Sequence, residues 1–242
     1  MTTTPTITTI PYSSLGKAEF GWLSARHHFS FGHYYNPEKM GFGILRVVND
    51  DRVSAGTGFD PHPHKDMEII TYVRQGEIRH QDNLGNEGTT PAGSVQVMSA
   101  GSGITHAEYA SQTQTTTLYQ IWLQPRQKGV APRWDMAQFP QKPVVGQLPL
   151  LVSGEQNAPQ GTLYIHANAT LHGGKLAAGT TIQQAFGAKA YVLVSAGEIT
   201  LNGHPLAGGD AAQVEAPQGQ PTPQLTLTAS TDAEVVIIGL PE

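Results

Sequence analysis

The chain contains no cysteine, which excludes disulfides, zinc fingers, iron-sulfur ligation and thiol catalysis together. Any metal must be held through histidine nitrogens and carboxylate oxygens. Charge is also scarce: charged residues make up 14%, with 14 Lys and Arg against 19 Asp and Glu and a formal net charge of -5. Neutralising phosphates needs clustered cations, and the basic residues here are scattered, so direct nucleic-acid binding is not expected. Long apolar runs are missing too. No stretch approaches the roughly 18 residues of a membrane span, and the opening MTTTPTITTI lacks the basic start and apolar segment of a signal peptide. The expectation is a cytoplasmic protein that binds no membrane. No Ser-His-Asp order, phosphate-cradling Gly loop or basic helix is evident.

What is present is β structure. The 242 residues include 27 Gly and 17 Pro, a composition suited to many short strands joined by tight turns, and the length suffices for two packed cores. From Gly43 to Pro125 the apolar segments ILRVV, MEIITYV, SVQVMS and LYQIWLQ are separated by Gly, Asn, Asp and Pro clusters. Segments of the same kind resume in LPLLVSG, TLYIHANATL, AYVLVSAGEITLNG, QLTLTAS and AEVVIIGLP. Between them, the stretch from Gln124 to Pro143 is rich in Pro and charge and has no sustained period, as a linker would. The expected division is an N-terminal barrel over 1–125, a linker over 126–143 and a C-terminal barrel over 144–242.

A weak internal repeat links the halves. Superposing Gly76-Glu77-Ile78 on Gly197-Glu198-Ile199 aligns the apolar segments that precede each turn, and the turn after Gly93 matches that after Gly209. The simplest account is two similar antiparallel barrels from a duplicated unit.

The chemistry concentrates in the first half. His62 and His64 have the i, i+2 spacing that puts both side chains on one face of a strand, and His106 and Glu108 repeat that spacing in SAGSGITHAEYA. If the two strands lie side by side in one barrel, three imidazoles and one carboxylate converge. That donor set suits Fe, Mn, Co, Ni, Cu or Zn better than Ca or Mg, and four protein ligands leave a six-coordinate ion two open positions. The blander alternative has each histidine satisfying a local hydrogen bond in a Gly- and Pro-rich turn; two such pairs in one half weigh against it.

Several motifs in order resemble a known family. Gly56-x5-His62-x-His64-x3-Glu68-x7-Gly76 resembles the first cupin motif with one extra residue before the last Gly, and PAGSVQVMSAGSGITHAE resembles the second as pirins write it. RHHFSFGHYYNP and HPHKDMEIITYVRQGEIRHQDNLGNEG are similar to bacterial pirin-like proteins. The resemblance is strong from Leu15 to about Gln124 and continues as a degenerate barrel. It implies an all-β bicupin of two jelly-roll barrels, with one metal held by His62, His64, His106 and Glu108. In many other cupins the first-motif Glu is a ligand, which makes Glu68 the alternative carboxylate. Weighted by family, the ion is Fe(II), with Mn, Co, Ni, Cu or Zn also compatible.

Other residues carry weaker expectations. His80 is a candidate to orient a ligand. His27, His28 and His33, with Phe29, Phe31, Tyr34 and Tyr35, are candidates for a pocket entrance, packing being the commoner role. Trp122 and Gln120 read as core and ladder residues. In the repeat alignment His62 falls on Gln183, His64 on Ala185 and Glu68 on Lys189, and the region matching His106 and Glu108 falls in Pro221 to Leu225, so the second barrel is expected to lack ligands. His166, His172 and His204 are isolated.

By resemblance the expected activity is that of a quercetin 2,3-dioxygenase, which opens the central ring of a flavonol with dioxygen and releases carbon monoxide. Glu108 would accept the 3-hydroxyl proton. The competing expectation, also by resemblance, is a metal- and redox-dependent binding protein acting through protein partners, for which no partner motif is recognisable.

Overall fold

A computed structural model describes residues 4–217 and 223–241. Pro221 and Thr222, part of the segment aligned with His106 and Glu108, lie outside the described residues. The strands are β1 (Thr6–Ile10), β2 (Gly16–Glu19), β3 (Leu23–His27), β4 (Leu45–Val53), β5 (Gly58–His64), β6 (Glu68–Gln75), β7 (Glu77–Asp82), β8 (Glu87–Pro91), β9 (Ser94–Ser99), β10 (Ile104–Ala110), β11 (Thr116–Leu123) and β12 (Arg133–Gln138). They continue with β13 (Leu150–Ser153), β14 (Leu163–Tyr164), β15 (Thr170–Leu176), β16 (Thr181–Ala185), β17 (Lys189–Ala196), β18 (Glu198–Leu201), β19 (His204–Ala207), β20 (Ala211–Glu215), β21 (Gln224–Ala229) and β22 (Ala233–Leu240). Among the described residues no helix is long and apolar enough to cross a membrane.

The chain forms two compact units, one of Leu15–Phe139 with Leu163–Ala167 and one of Met1–Ser14, Pro140–Thr162 and Asn168–Glu242. The first unit holds a sheet in the order β12-β9-β6-β11-β4-β3-β2 and a four-stranded sheet β5-β10-β7-β8. The second repeats the plan with β1-β20-β17-β22-β15-β13 and the four-stranded β16-β21-β18-β19. The strand pairings are antiparallel, and the two small sheets have the same order, so the duplication read from the sequence is real. Gly76 and Gly197 occupy the same turn at φ 72 and 78. A Cβ on either would meet backbone oxygen, Thr115 O at 2.7 Å and Asp232 O at 2.1 Å, so glycine is required twice for one reason.

Alternation in the strands puts their apolar residues into each unit's interior. Ile70, Tyr72, Val97, Leu118 and Ile121 are fully buried in the first unit. Val192, Val194, Val214, Leu225, Leu227 and Ile237 form one cluster in the second.

Two segments depart from the sequence reading. Residues 126–143, expected as a linker, contain β12, which pairs with β9 from Arg133↔Ser99 to Gln138↔Ser94. In this edge strand Arg133 and Asp135 pair with each other, while Trp134 packs against Ile69, Met98, Ala100 and Ile104. The Thr-rich start, grouped with the first barrel by chain order, pairs as β1 with β20 from Thr6↔Glu215 to Ile10↔Ala211.

Candidate metal centre

The site is built on β5, β10 and β7. In β5 the sequence Asp60-Pro61-His62-Pro63-His64 carries two prolines that cannot donate to a ladder; β5 lies at the sheet's edge, where strand proline is tolerated. It pairs with β10 through Ile104↔His64 and His106↔His62, and then the register shifts so that Glu108 faces Phe59. This bulge re-aims the side chains that follow it. On its other side β10 pairs with β7 through His106↔Asp82 and Glu108↔His80.

Of the four expected ligands, the imidazoles of His62, His64 and His106 come together. Ring centroids are 4.5 Å apart for His62 and His106, 4.8 Å for His62 and His64, and 5.0 Å for His64 and His106. One nitrogen from each lies within 4.8 Å of the other two. A second group of the same kind joins His106 to His80 and Glu108, so the two groups share His106.

The hydrogen bonds select the nitrogens that face the site. His62 donates from Nδ1 to the Asp60 carbonyl at 2.7 Å, leaving Nε2 with its lone pair. His106 Nδ1 lies 3.3 Å from His80 Nδ1, and His106 Nε2 is buried with no partner among the described residues. His80 Nε2 in turn lies 3.0 Å from Asp82 Oδ2, and its ring stacks on Trp134 at 5.1 Å and 11°. Burial holds His64 down at about 4, with the neighbouring His62 adding to the effect. Burial lowers His106 further, aided by His62, His64 and His80. Both imidazoles are therefore neutral at pH 7, the form that binds a cation.

Glu108 is 1% exposed. Gln96 Nε2 donates to its Oε1 at 2.6 Å, and Gln120 Nε2 to its Oε2 at 2.5 Å. Both amides are turned by donors on their carbonyls: Thr90 Oγ1 at 2.8 Å and Trp134 Nε1 at 3.3 Å for Gln96, and Trp122 Nε1 at 3.2 Å for Gln120. Burial pushes the Glu108 carboxyl up to about 7, although the hydrogen bonds from Gln120 and Gln96 pull the other way.

Neutral imidazole donors, an orphaned buried His106 Nε2 and an adjacent carboxylate fit a divalent transition ion. Glu68 is not brought to them. It is 0% exposed, and its Oε2 accepts from Ser99 Oγ at 2.7 Å and from the His166 amide at 3.0 Å.

A cavity of about 370 Å³ opens beside the histidines, lined by Trp22, Leu23, His27, Phe31, Asn49, Asp51, Gly58, Phe59, Asp60, His62, His64, Gln120 and Trp122. Of the stretch proposed as a pocket entrance, His27 and Phe31 line it, His28 and Phe29 are buried, Tyr34 is half-buried, and His33 and Tyr35 are exposed. Gln120 and Trp122 are ladder and core residues as read, pairing within β11 and, for Trp122, packing on the Ile69 cluster, and both also border the cavity, where Gln120 holds Glu108. Asp82, Gln96, Trp22, Asn49, Asp51 and Phe59 gave no sequence signal beyond, for Asp82, its i, i+2 spacing from His80.

The second unit has no such group among its described residues. Gln183 is exposed there, whereas Gln184 is 3% exposed and pairs with Leu225 as His62 pairs with His106. The structural counterpart of His62 is therefore Gln184, one residue later than the sequence alignment gave, because the connection into β6 is one residue longer than its counterpart: His64, paired with Ile104, precedes Glu68 by four residues, whereas Phe186, bonded to Pro223, precedes Lys189 by three. Leu225 and Leu227 stand where His106 and Glu108 would be. His172 borders a separate cavity of about 830 Å³, and His204 is exposed.

Two units of antiparallel sheets, one with a histidine-rich centre and one without, define a bicupin. Residues 10–123 match the Pirin family model and residues 150–240 that of the quercetinase C-terminal cupin domain. A pirin-like protein of Caulobacter vibrioides is 47% identical over 230 residues, covering 94% of this chain and 97% of that one. A quercetin 2,3-dioxygenase of Escherichia coli is 40% identical over 229 residues, covering 93% and 95%. The crystal structure of the Escherichia coli bacterial pirin YhhW in complex with nickel(II) superposes with a TM-score of 0.88 at 38% identity, covering 98% and 99%. The chain belongs to the pirin family.

Proposed function

We propose that this chain is a metal-dependent dioxygenase that opens the central ring of quercetin-like flavonols with dioxygen and releases carbon monoxide. The observation that carries this reading is the convergence of His62, His64 and His106, with His106 Nε2 unpartnered, beside a cavity walled by aromatic rings. His62, His64, His106 and Glu108 would hold the ion, Fe(II) by preference. When bound, such an ion supplies a Lewis-acid and redox centre at which an enolate and dioxygen can meet.

The chain's own residues do the rest. Trp22, Phe31, Phe59 and Trp122 offer flat apolar surfaces that orient a planar aromatic ligand and exclude water. Glu108, with its carboxyl held near 7, accepts the enolic hydroxyl proton at neutral pH and keeps it inside the site. Gln96 and Gln120 fix that carboxyl in one orientation, so proton acceptance needs no rearrangement. The quercetin 2,3-dioxygenase name carried by the Escherichia coli relative supports the same substrate class.

The test is anaerobic loading with Fe(II), and in parallel with Ni(II), with the bound metal quantified. Quercetin and dioxygen are then added while flavonol absorbance and carbon monoxide are followed beside a His62→Ala control. Metal-dependent loss of quercetin with carbon monoxide is expected. One bound metal without turnover would overturn the activity and leave a metal-dependent binding role.

A further inference from the structure

Asp51 has no account in the fold. It stands on β4 two residues beyond Asn49, borders the same cavity as His62 and His64, and is 3% exposed. Its Oδ1 has no hydrogen-bond partner among the described residues. A buried carboxyl without partners is destabilising, and its neighbours add to the cost. Asp50 and Glu108 repel its charged form, while Arg74, the one opposing charge acting on it, is committed to an ion pair with Asp50. Burial, with that repulsion, pushes Asp51 up to about 8, so at neutral pH it carries a proton and presents an O–H donor beside a carbonyl acceptor.

Three neighbouring polar side chains of the cavity are already engaged. Asn49 Oδ1 holds His27 Nδ1 at 2.7 Å, Asp60 Oδ1 accepts from Tyr109 at 2.6 Å, and Gln120 lies between Glu108 and Trp122. A neutral carboxyl left open to an apolar cavity is suited to a ligand hydroxyl, which can donate and accept at once.

We propose that Asp51 is a specificity-determining residue: it hydrogen-bonds a phenolic hydroxyl other than the enolic one, so that the cavity selects polyhydroxylated aromatic enols over those bearing the enol alone. The proposal rests on reading the cavity as the substrate pocket. Sites built to pair a ligand hydroxyl reject analogues that lack it, because the protein group is then left buried and unpaired.

The test compares quercetin with 3-hydroxyflavone, which keeps the enol and lacks the other hydroxyls. Each is titrated into nickel(II)-loaded protein without dioxygen, following tryptophan fluorescence, for the wild type, Asp51→Asn and Asp51→Ala. Asp51→Ala is expected to weaken quercetin binding about tenfold and 3-hydroxyflavone binding by less than about twofold, with Asp51→Asn between. Equal losses for both ligands, or none, overturn the role of Asp51 while leaving the pocket reading intact. No binding of either flavonol to the wild type overturns the pocket reading and this proposal together. Thermal unfolding separates a structural role: removing an unpartnered carboxyl should leave the midpoint unchanged or raise it, and a fall of several degrees in both variants would overturn the proposal.

Discussion

His80 and His106 face each other nitrogen to nitrogen, their Nδ1 atoms 3.3 Å apart. Only one of the two can carry the proton, and the far side of His80 decides which. Asp82 is pinned by the amides of Leu84 and Asn86 and by the Asn86 side chain at 2.9, 3.0 and 2.8 Å, which fixes it as an acceptor. His80 must then donate from Nε2, leaving its Nδ1 to accept from His106. That places the lone pair of His106 on Nε2, the buried nitrogen that has no hydrogen-bond partner among the described residues. The same chain restrains the His106 ring, as carboxylate-linked histidines commonly do at metal centres.

Replacing His80 with Phe keeps a ring against Trp134 and removes both hydrogen bonds. Metal affinity is expected to fall by about 10- to 100-fold with little change in fold. Competition against a chelator of known affinity measures this; unchanged affinity would show that His106 needs no partner.

His62→Ala and His106→Ala are each expected to abolish stoichiometric metal while leaving the β-type circular dichroism intact. His172→Ala and His204→Ala, both in the second unit, should retain the wild-type metal content. Loss of metal from either of the latter would contradict a single centre.

At Gly58 β5 lies close against the backbone of β10. A Cβ there would lie 2.1 Å from Glu108 O and 2.6 Å from Tyr109 Cα, both backbone atoms that cannot swing aside. Gly58→Ala must push the strand bearing His62 and His64 away from the strand bearing His106. Urea unfolding should show a loss of about 1–3 kcal/mol, the usual cost of overpacking, together with weakened metal binding.

The pH dependence of the metal-free protein follows from His172, which burial holds at about 4 against an ordinary 6.5. Between those values the unfolded chain binds a proton that the folded chain refuses. The contribution of His172 is therefore fully present above about pH 6.5 and is lost as the pH falls toward 4; His64, lowered to about 4, acts in the same direction. Melting temperatures from about pH 7 down to 5 should fall less steeply in His172→Gln than in the wild type. Parallel curves would show that His172 stays protonated or exposed in the fold.

The i, i+2 pairs His62/His64 and His106/Glu108 were legible because strand geometry projects that spacing onto one face, and the repeat was legible because Gly76 and Gly197 answer the same steric demand. The parts that were not legible depend on pairings between distant segments. That His80 meets His106 follows from the register of β7 on β10, which no local pattern states. The one-residue error at Gln183 arose from the longer connection between His64 and Glu68, a length difference that an alignment anchored at Gly76 and Gly197 passes straight through. Nothing in the sequence around Asp51 marks the missing partner of its Oδ1, and Glu68, the alternative carboxylate, has its Oε2 held by Ser99 and the His166 amide, contacts made by distant segments.

The pairing of β1 with β20 has a consequence for how the chain comes into being. Thr6–Ile10 is made before its partner Ala211–Glu215, which lies about two hundred residues downstream. During synthesis the earlier strand must therefore wait with its hydrogen-bonding groups unmatched, and such waiting edges are where chains stick to one another. The polar threonines of this strand are well suited to that interval, since they keep it β-forming without making it greasy.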